Sequence, residues 1–225
     1  MSEKDTKDPW VNGPRWIDAR SAWPELSSRG SWLGLSPQDG AQLLAVLEAP
    51  WWVAGGWALD LHLGRVTRAH TDLDIGIFRR DAVKVLAALP GWEFFEARNG
   101  SLTQLPEGRA PRAEVNSLWC RRANAEQWAL ELMLDECDGE SWVFRRDVRI
   151  TRPLASLTQR NPDAIAYLAP EIQLLYKARA TRTQDQADFE RIVPHLAHDA
   201  RTWLRESLSL IAPEHAWILM LRGLP

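Results

Sequence analysis

A pair of aspartates two positions apart, Asp72 and Asp74, is the feature of this sequence best suited to chemistry. Apolar residues alternate around the pair between positions 73 and 78 and predict a strand, in which side chains at i and i+2 point to the same face. Two carboxylates held side by side repel each other unless a cation compensates their charge. Mg²⁺ does so while also binding phosphate oxygens. The pair therefore predicts a magnesium site that receives a phosphorylated substrate.

Two glycines, Gly55-Gly56, separate a short apolar segment at 51–54 from a segment at 57–63 with the pattern of a helix. Glycine lets the backbone come close to a phosphate, and the first N–H groups of a helix favour an anion. A tight strand-to-helix turn without a ligand is the structural alternative. Together with the aspartates, the glycines favour a triphosphate cradle beside a metal, as phosphoryl and nucleotidyl transfer require.

The segment that contains both features, residues 51–79, reads WWVAGGWALDLHLGRVTRAHTDLDIGIFR. It resembles the signature of the DNA-polymerase-beta-like nucleotidyltransferases and is most similar to the aminoglycoside-2''-adenylyltransferase and lincosamide nucleotidyltransferase group. That group has a GGW helix start, a basic stretch and H-x-D-x-D, and Gly55, Gly56, Asp72 and Asp74 match it residue for residue. The resemblance implies Mg²⁺-dependent transfer of AMP from ATP to a hydroxyl of an aminoglycoside- or lincosamide-like antibiotic, with release of pyrophosphate.

The resemblance also implies a third carboxylate on a neighbouring strand, acting as metal ligand, general base or both. The predicted strand at 128–135 offers Glu131 as first choice, where many relatives carry Asp, and Asp135 as second choice on the same strand face. Structural alternatives exist for both. A two-residue turn at Asp138-Gly139 would place Arg146 opposite Glu131 as a cross-strand ion pair. Asp135 is also interpretable as a solvated acid at the strand end.

Three further residues precede the aspartates in the chain. Arg65 and Arg68 can grip a triphosphate, because a guanidinium binds phosphate through paired hydrogen bonds; a solvated loop position is the equal alternative. His70 can orient an acid or contact phosphate, although a structural hydrogen bond is at least as good an interpretation.

A second resemblance lies in the tail, where residues 170–189 read PEIQLLYKARATRTQDQADF. They resemble a helix pair of related nucleotidyltransferases. The resemblance implies that Lys177 faces the nucleotide phosphates and that Asp185 and Asp188 lock the helix pair. A lysine on the helix surface is the structural alternative for Lys177.

The order of predicted elements indicates an α+β fold, with a mixed β-sheet flanked by helices and a helical C-terminus. We divide the chain into an N-terminal arm (1–35), a nucleotidyltransferase domain (36–153) and a C-terminal helical domain (154–225). Asn99-Gly100 predicts a β-hairpin turn. From about Pro162 onward the pattern is helical.

Composition narrows the class of protein. The net charge of −3 and pI of about 6.0 argue against a dedicated nucleic-acid binder, although a local basic groove is compatible with them. The two cysteines, Cys120 and Cys137, form no CxxC pair, so structural zinc is not expected. No run of 18 apolar residues occurs, and the N-terminus lacks the apolar core of a signal peptide. We expect a cytoplasmic protein without a membrane span.

Two other functions stay open, namely a nucleotidyltransferase that modifies tRNA or a protein and a non-catalytic nucleotide-binding relative. A basic groove leading to Asp74 would favour the macromolecule, whereas an acidic or Trp-lined pocket would favour a small molecule. A cationic aminoglycoside would need acidic partners. Candidates are Glu93, Glu96, Glu107, Glu114, Glu136, Asp138 and Glu140.

Overall fold

A computed structural model describes residues 30–223 of the chain. The strands are β1 (Trp51–Val53), β2 (Asp74–Phe78), β3 (Trp92–Arg98), β4 (Ser101–Gln104), β5 (Ser117–Arg122), β6 (Leu130–Asp138), β7 (Ser141–Val143), β8 (Thr151–Pro153), β9 (Thr158–Arg160) and β10 (Ala166–Leu168). The α-helices are α1 (Pro37–Leu43), α2 (Gly55–Leu63), α3 (Ala82–Ala87), α4 (Pro170–Ala178), α5 (Thr183–Ile192), α6 (His198–Ile211) and α7 (Ala216–Arg222). The arm predicted for residues 1–35 lies almost entirely outside the described residues.

The strands form one mixed sheet with the order β4-β3-β5-β6-β2-β1-β10-β9, and β7 and β8 extend from the end of β6. The pairs β2–β6 and β1–β10 are parallel, and the other pairs are antiparallel. With helices packed on the sheet and four helices after it, the α+β prediction is confirmed. The helical pattern predicted from Pro162 is wrong for its first residues, since β10 joins the sheet beside β1 and the helices begin at Pro170.

The two faces of the central strands differ in chemistry. Ile75 and Ile77 are fully buried on one face of the strand. This face packs against α1, where Gly40 lies so close that an added β-carbon would touch Leu73 and Ile75. Asp74 alternates with them and therefore points to the opposite face. The apolar face thus fixes the strand, and the opposite face carries Asp74 at the start of β2, followed by Gly76 and Phe78.

The two predicted hairpins have different outcomes. Asn99 and Gly100 form the first turn with φ angles of 48° and 74°, as a two-residue I′ turn requires. The second turn is Gly139-Glu140, because Asp138 pairs with Ser141, and β7 ends at Val143. The expected pairing of Glu131 with Arg146 is therefore wrong. The Arg146 guanidinium donates instead to the Tyr176 carbonyl at 2.7 Å.

No helix among residues 30–223 is long and apolar enough to cross a membrane. The division into domains at residue 153 remains a prediction.

Candidate active site

Three carboxylates meet at one end of β2 and β6. Asp74 is the first residue of β2 and pairs directly with Glu131 of the parallel strand β6, and Asp72 lies two residues before β2. One oxygen from each of Asp72, Asp74 and Glu131 lies within 4.8 Å of the others. Two oxygens bound to one Mg²⁺ are at most about 4.2 Å apart, so a small side-chain rotation would suit the trio to that cation.

The glycine turn packs against this trio. Gly55 and Gly56 are the first two residues of α2, and Gly55 has a φ of +65°, which favours glycine. A β-carbon on Gly55 would overlap Asp74 Oδ2. The Ala54 N–H also donates to the Asp74 carbonyl at 2.8 Å. The predicted neighbourhood of glycines and acids is therefore present in the fold.

Of the two loop arginines, Arg68 lies at the glycine turn. A β-carbon on Gly56 would overlap its Nη2 atom, while its Nε lies 3.4 Å from Asp188 Oδ1 of α5. With the side-chain amide of Gln184 oriented so that its oxygen faces Arg68, this oxygen accepts hydrogen bonds from Nη2 at 2.8 Å and from Nη1 at 3.1 Å. Arg65 is exposed, and its side chain has no hydrogen bond or ion pair within residues 30–223. The two arginines thus have different surroundings.

His70 supports the loop rather than the carboxylate trio. Its Nε2 lies 2.6 Å from Asp60 Oδ2, its Nδ1 lies 3.1 Å from Arg68 Nη1, and its ring stacks on Trp57 at 4.1 Å. Asp60 also accepts from the Thr67 N–H at 3.0 Å and from the Thr67 hydroxyl at 2.5 Å. Because Arg68 can only donate, the tautomer with the proton on Nε2 satisfies every partner.

Lys177 is buried between two carboxylates. Its Nζ lies 2.7 Å from Asp185 Oδ1 and 3.1 Å from Asp188 Oδ2, and its side chain is 8% exposed. The helix-surface alternative is therefore wrong, and α4 is tied to α5 through this cation. Burial raises the pKa of Asp185, but hydrogen bonds from Arg182 and Lys177 outweigh that effect and hold the pKa at about 2.

The two candidates for the third carboxylate are widely separated. Glu131 belongs to the trio and accepts a hydrogen bond from the Ser117 hydroxyl at 2.5 Å. Asp135 lies four residues further along β6, about 13 Å away in an extended strand. It accepts from Tyr176 at 2.5 Å and from Trp142 at 3.3 Å.

Asp135 is 2% exposed, so its interpretation as a solvated acid is wrong. Burial raises its pKa, while the Arg145 guanidinium and the hydrogen bonds counteract that rise. Asp135 therefore fastens α4 to the sheet, and Glu131 is the acid that the fold brings to Asp72 and Asp74.

An aromatic wall adjoins the trio on the same face of the sheet. Trp119 pairs with Glu131, and Phe95 pairs with Trp119, so these side chains form one row with Asp74. Trp32 packs edge-on against Trp119 with ring centroids 5.0 Å apart. Trp119 is 1% exposed, so this row is part of a buried aromatic cluster beside the trio.

The acids suggested as partners of a polycation are largely neutralised by arginines. Four of them form ion pairs within the described chain. The pairs are Glu93–Arg121 at 2.9 Å, Glu96–Arg112 at 2.5 Å, Glu114–Arg98 at 3.3 Å, and Glu136–Arg79. These four residues therefore do not supply an acidic pocket by themselves.

Sequence reasoning missed two residues that contact the site. Ser117 donates to Glu131, and Gln173 of α4 accepts the Gly55 N–H at 2.8 Å. Neither residue belongs to a local sequence motif, because each contacts a partner that is distant in the sequence. The position of Gln173 within 170–189 was the only hint.

Comparison with known proteins identifies the family of this chain. A model of the family "Aminoglycoside-2''-adenylyltransferase" matches residues 41–192. A 2''-aminoglycoside nucleotidyltransferase of Klebsiella pneumoniae is 51% identical over 37 residues, which is 15% of this chain and 21% of that protein. One of Escherichia coli is 39% identical over 59 residues, which is 25% of this chain and 33% of that protein. The chain thus spans about a third or less of the length of these relatives.

Among solved structures, the crystal structure of ANT(2'')-Ia in complex with adenylyl-2''-tobramycin is similar with a TM-score of 0.53 at 14% identity. It covers 78% of this chain and 98% of that chain, and the likeness shows the fold. The family match spans more than half of the 225 residues and confirms the resemblance seen in residues 51–79. The chain belongs to the aminoglycoside-2''-adenylyltransferase family.

Proposed function

We propose that this protein transfers AMP from ATP to a hydroxyl group of a small molecule and releases pyrophosphate. The observation that carries the proposal is the direct pairing of Asp74 with Glu131 beside the Gly55 turn, with Asp72 completing a trio of carboxylates. Acids grouped in this way need a cation, and a glycine turn at a helix start suits phosphate.

The triphosphate would lie over Gly55-Gly56 with Arg68 beside it. The Arg68 guanidinium lies directly against the Gly56 backbone, in the space that a side chain at position 56 would fill. A phosphate bound beside the turn would therefore meet N–H donors from the guanidinium and from the backbone. Asp188 and Gln184 orient this guanidinium from α5. Arg65 is exposed and would approach the phosphates from solvent.

Lys177 supports the phosphate site through its neighbours. It neutralises Asp188, which in turn contacts Arg68. We therefore assign Lys177 an indirect cofactor-binding role, in which it fixes the position of a phosphate-binding arginine.

The three carboxylates fit a divalent cation in number and charge, and a small side-chain rotation would bring their oxygens to the spacing it needs. Bound Mg²⁺ would stabilise the negative charge that develops on the transferred phosphate. Asp72 and Asp74 are the proposed ligands from the β2 end, and Glu131 is the third.

Glu131 is the base that accepts the proton of the acceptor hydroxyl, or it would hold a second metal ion that acidifies this hydroxyl, with water as the base. In the transfer, the hydroxyl oxygen forms a bond to the α-phosphorus as the bond from that phosphorus to the bridging oxygen breaks. Pyrophosphate carries away the electron pair, and the hydroxyl proton passes to the base. Ser117 holds Glu131 in place at 2.5 Å. Orientation and charge stabilisation then supply most of the rate acceleration.

The acceptor is proposed to be an aminoglycoside-like molecule, as the names of the relatives suggest, and a lincosamide-like molecule is the alternative that the resemblance of residues 51–79 implies. Trp119 beside Glu131 is only 1% exposed and packs against Trp32, so it belongs to the core next to the trio rather than to the acceptor site.

The test is a pyrophosphate-release assay with MgATP and a panel of aminoglycosides, lincosamides and tRNA, with calorimetry of MgATP binding. Release with an antibiotic, lost in Asp72→Asn and Asp74→Asn, supports the proposal. Release with tRNA alone would replace the acceptor class, and binding without any release would indicate a non-catalytic relative. Full Mg²⁺-dependent release by both variants would contradict the proposed site.

A further inference from the structure

Helix α2 begins without a cap from its own chain segment. Ala54 occupies the N-cap position and offers no side-chain hydrogen bond to the first turn. The free N–H groups at a helix start normally find such a partner. Gln173, 118 residues further along the chain, supplies it, because its Oε1 accepts the Gly55 N–H at 2.8 Å.

The capped peptide is also the one that touches a proposed metal ligand. Gly55 has a φ of +65° and lies so close to Asp74 that a β-carbon would overlap Oδ2. Rotation of this peptide would therefore change the space that is open to the Asp74 carboxylate and would reorient the neighbouring Gly56 N–H.

Gln173 is itself held firmly. It is 7% exposed, and its helix is fastened one turn later by Tyr176, which donates to Asp135, and by Lys177, which pairs with Asp185. Residues i, i+3 and i+4 share one side of a helix. The amide oxygen of Gln173 thus has a defined position relative to the sheet.

We propose that Gln173 is a positioning residue, whose amide oxygen holds the Gly55 peptide in the conformation that accommodates Asp74 and the nucleotide phosphates. The proposal rests on the proposed function in so far as Asp74 binds the metal–nucleotide complex. It makes the contact between α4 and the glycine turn part of the nucleotide site.

The experiment compares Gln173→Met, which keeps the length but removes the acceptor, with Gln173→Glu, which retains an acceptor oxygen. Amide exchange of Gly55 is measured by NMR in the nucleotide-free protein, and binding of MgATP by calorimetry. Tyr176→Phe is the matched control, because it removes a buried hydrogen bond from the same helix without touching the turn.

Gln173→Met should accelerate Gly55 exchange about fivefold or more and weaken MgATP binding about fivefold, in line with the loss of one hydrogen bond. Its KM for the acceptor should stay unchanged. Gln173→Glu should keep Gly55 protected. Tyr176→Phe should lower the melting temperature while leaving both Gly55 exchange and MgATP affinity at wild-type values, because the Arg146 bond to the Tyr176 carbonyl and the Lys177–Asp185 pair still hold α4 in place.

Wild-type Gly55 exchange and MgATP affinity in Gln173→Met would overturn the proposal, and so would equal effects in Tyr176→Phe. If Gln173→Met does not fold, loss of Gly55 protection in folded Gln173→Glu would overturn the proposal in its place. Should the wild-type protein fail to bind MgATP, the proposed function falls, while the exchange data still decide whether Gln173 holds Gly55.

Discussion

Gly55 and Asp74 are in such close contact that a β-carbon at position 55 would overlap the Asp74 carboxylate. An alanine there can be accommodated only if the carboxylate moves, because the glycine backbone is bound to Gln173. The contact therefore links the conformation of a turn to the position of a proposed metal ligand.

Gly55→Ala should abolish most activity while leaving the protein folded. The left-handed φ costs an alanine about 1–2 kcal/mol of unfolding free energy, and displacement of Asp74 should lower kcat/KM about 100-fold. Gly64→Ala is a matched control, because Gly64 has a φ of +67° with no atom within 4 Å of an added β-carbon. Melting temperatures and kcat/KM of both variants are to be measured, and an equal loss of activity in both would show that strain alone is responsible.

Glu131→Gln should lower kcat about 10²–10⁴-fold with little change in stability, as expected for loss of a base or metal ligand. Asp135→Asn should behave in the opposite way. It would lose about 1–3 kcal/mol of unfolding free energy, since the partly buried Arg145 loses its charged partner, and would retain most activity. Urea unfolding and pyrophosphate release distinguish the two. A catalytic defect in Asp135→Asn as severe as that in Glu131→Gln would refute the assignment of the third carboxylate.

Arg68→Met should raise the KM for MgATP about tenfold, because it removes the guanidinium at Gly56. Arg68→Lys should recover only part of the loss, since lysine cannot reproduce the paired hydrogen bonds. Arg65→Met, at an exposed position in the same loop, should have a smaller effect. Steady-state kinetics at saturating acceptor measure all three, and a larger effect at Arg65 would reverse their proposed roles.

Acid should weaken the contact between α4 and α5. The pKa of Asp185 is about 2 in the folded protein, below its ordinary value of 3.8. Its contribution to stability is therefore complete above pH 3.8 and is lost as pH falls toward 2. Asp185→Asn should reduce the fall in unfolding free energy between pH 4 and 2. Denaturant titrations at several pH values in this range measure the unfolding free energy. If this free energy depended on pH in Asp185→Asn as it does in the wild type, the prediction would be wrong.

The parts of the site that lie close in sequence were predictable. Asp72 and Asp74 belong to one strand pattern, and Gly55-Gly56 stand at a visible strand-to-helix boundary, so their types and spacing indicate chemistry without any tertiary information. Asn99-Gly100 defines its turn for the same reason, because both residues tolerate a positive φ. The family resemblance then specified the kind of transfer.

Features that depend on distant partners were not predictable. The alternation of side chains along a strand placed Glu131 and Asp135 on one face, but it gave neither their burial nor their neighbours. The turn lies at Gly139-Glu140 instead of Asp138-Gly139, and this shift by one residue changes the partner of Arg146. Strand β10 has only three residues and is defined by its pairing with β1. Gln173 reaches Gly55 only through the packing of α4.

The proposed activity requires that Asp72, Asp74 and Glu131 jointly bind a divalent cation with the nucleotide. The direct measurement is an electron paramagnetic resonance titration of Mn²⁺ in the presence of a non-hydrolysable ATP analogue. Wild-type protein and Gly64→Ala should show one saturable Mn²⁺–nucleotide site, and Asp72→Asn and Asp74→Asn should lose it. Undiminished Mn²⁺ affinity in both aspartate variants would contradict the central claim.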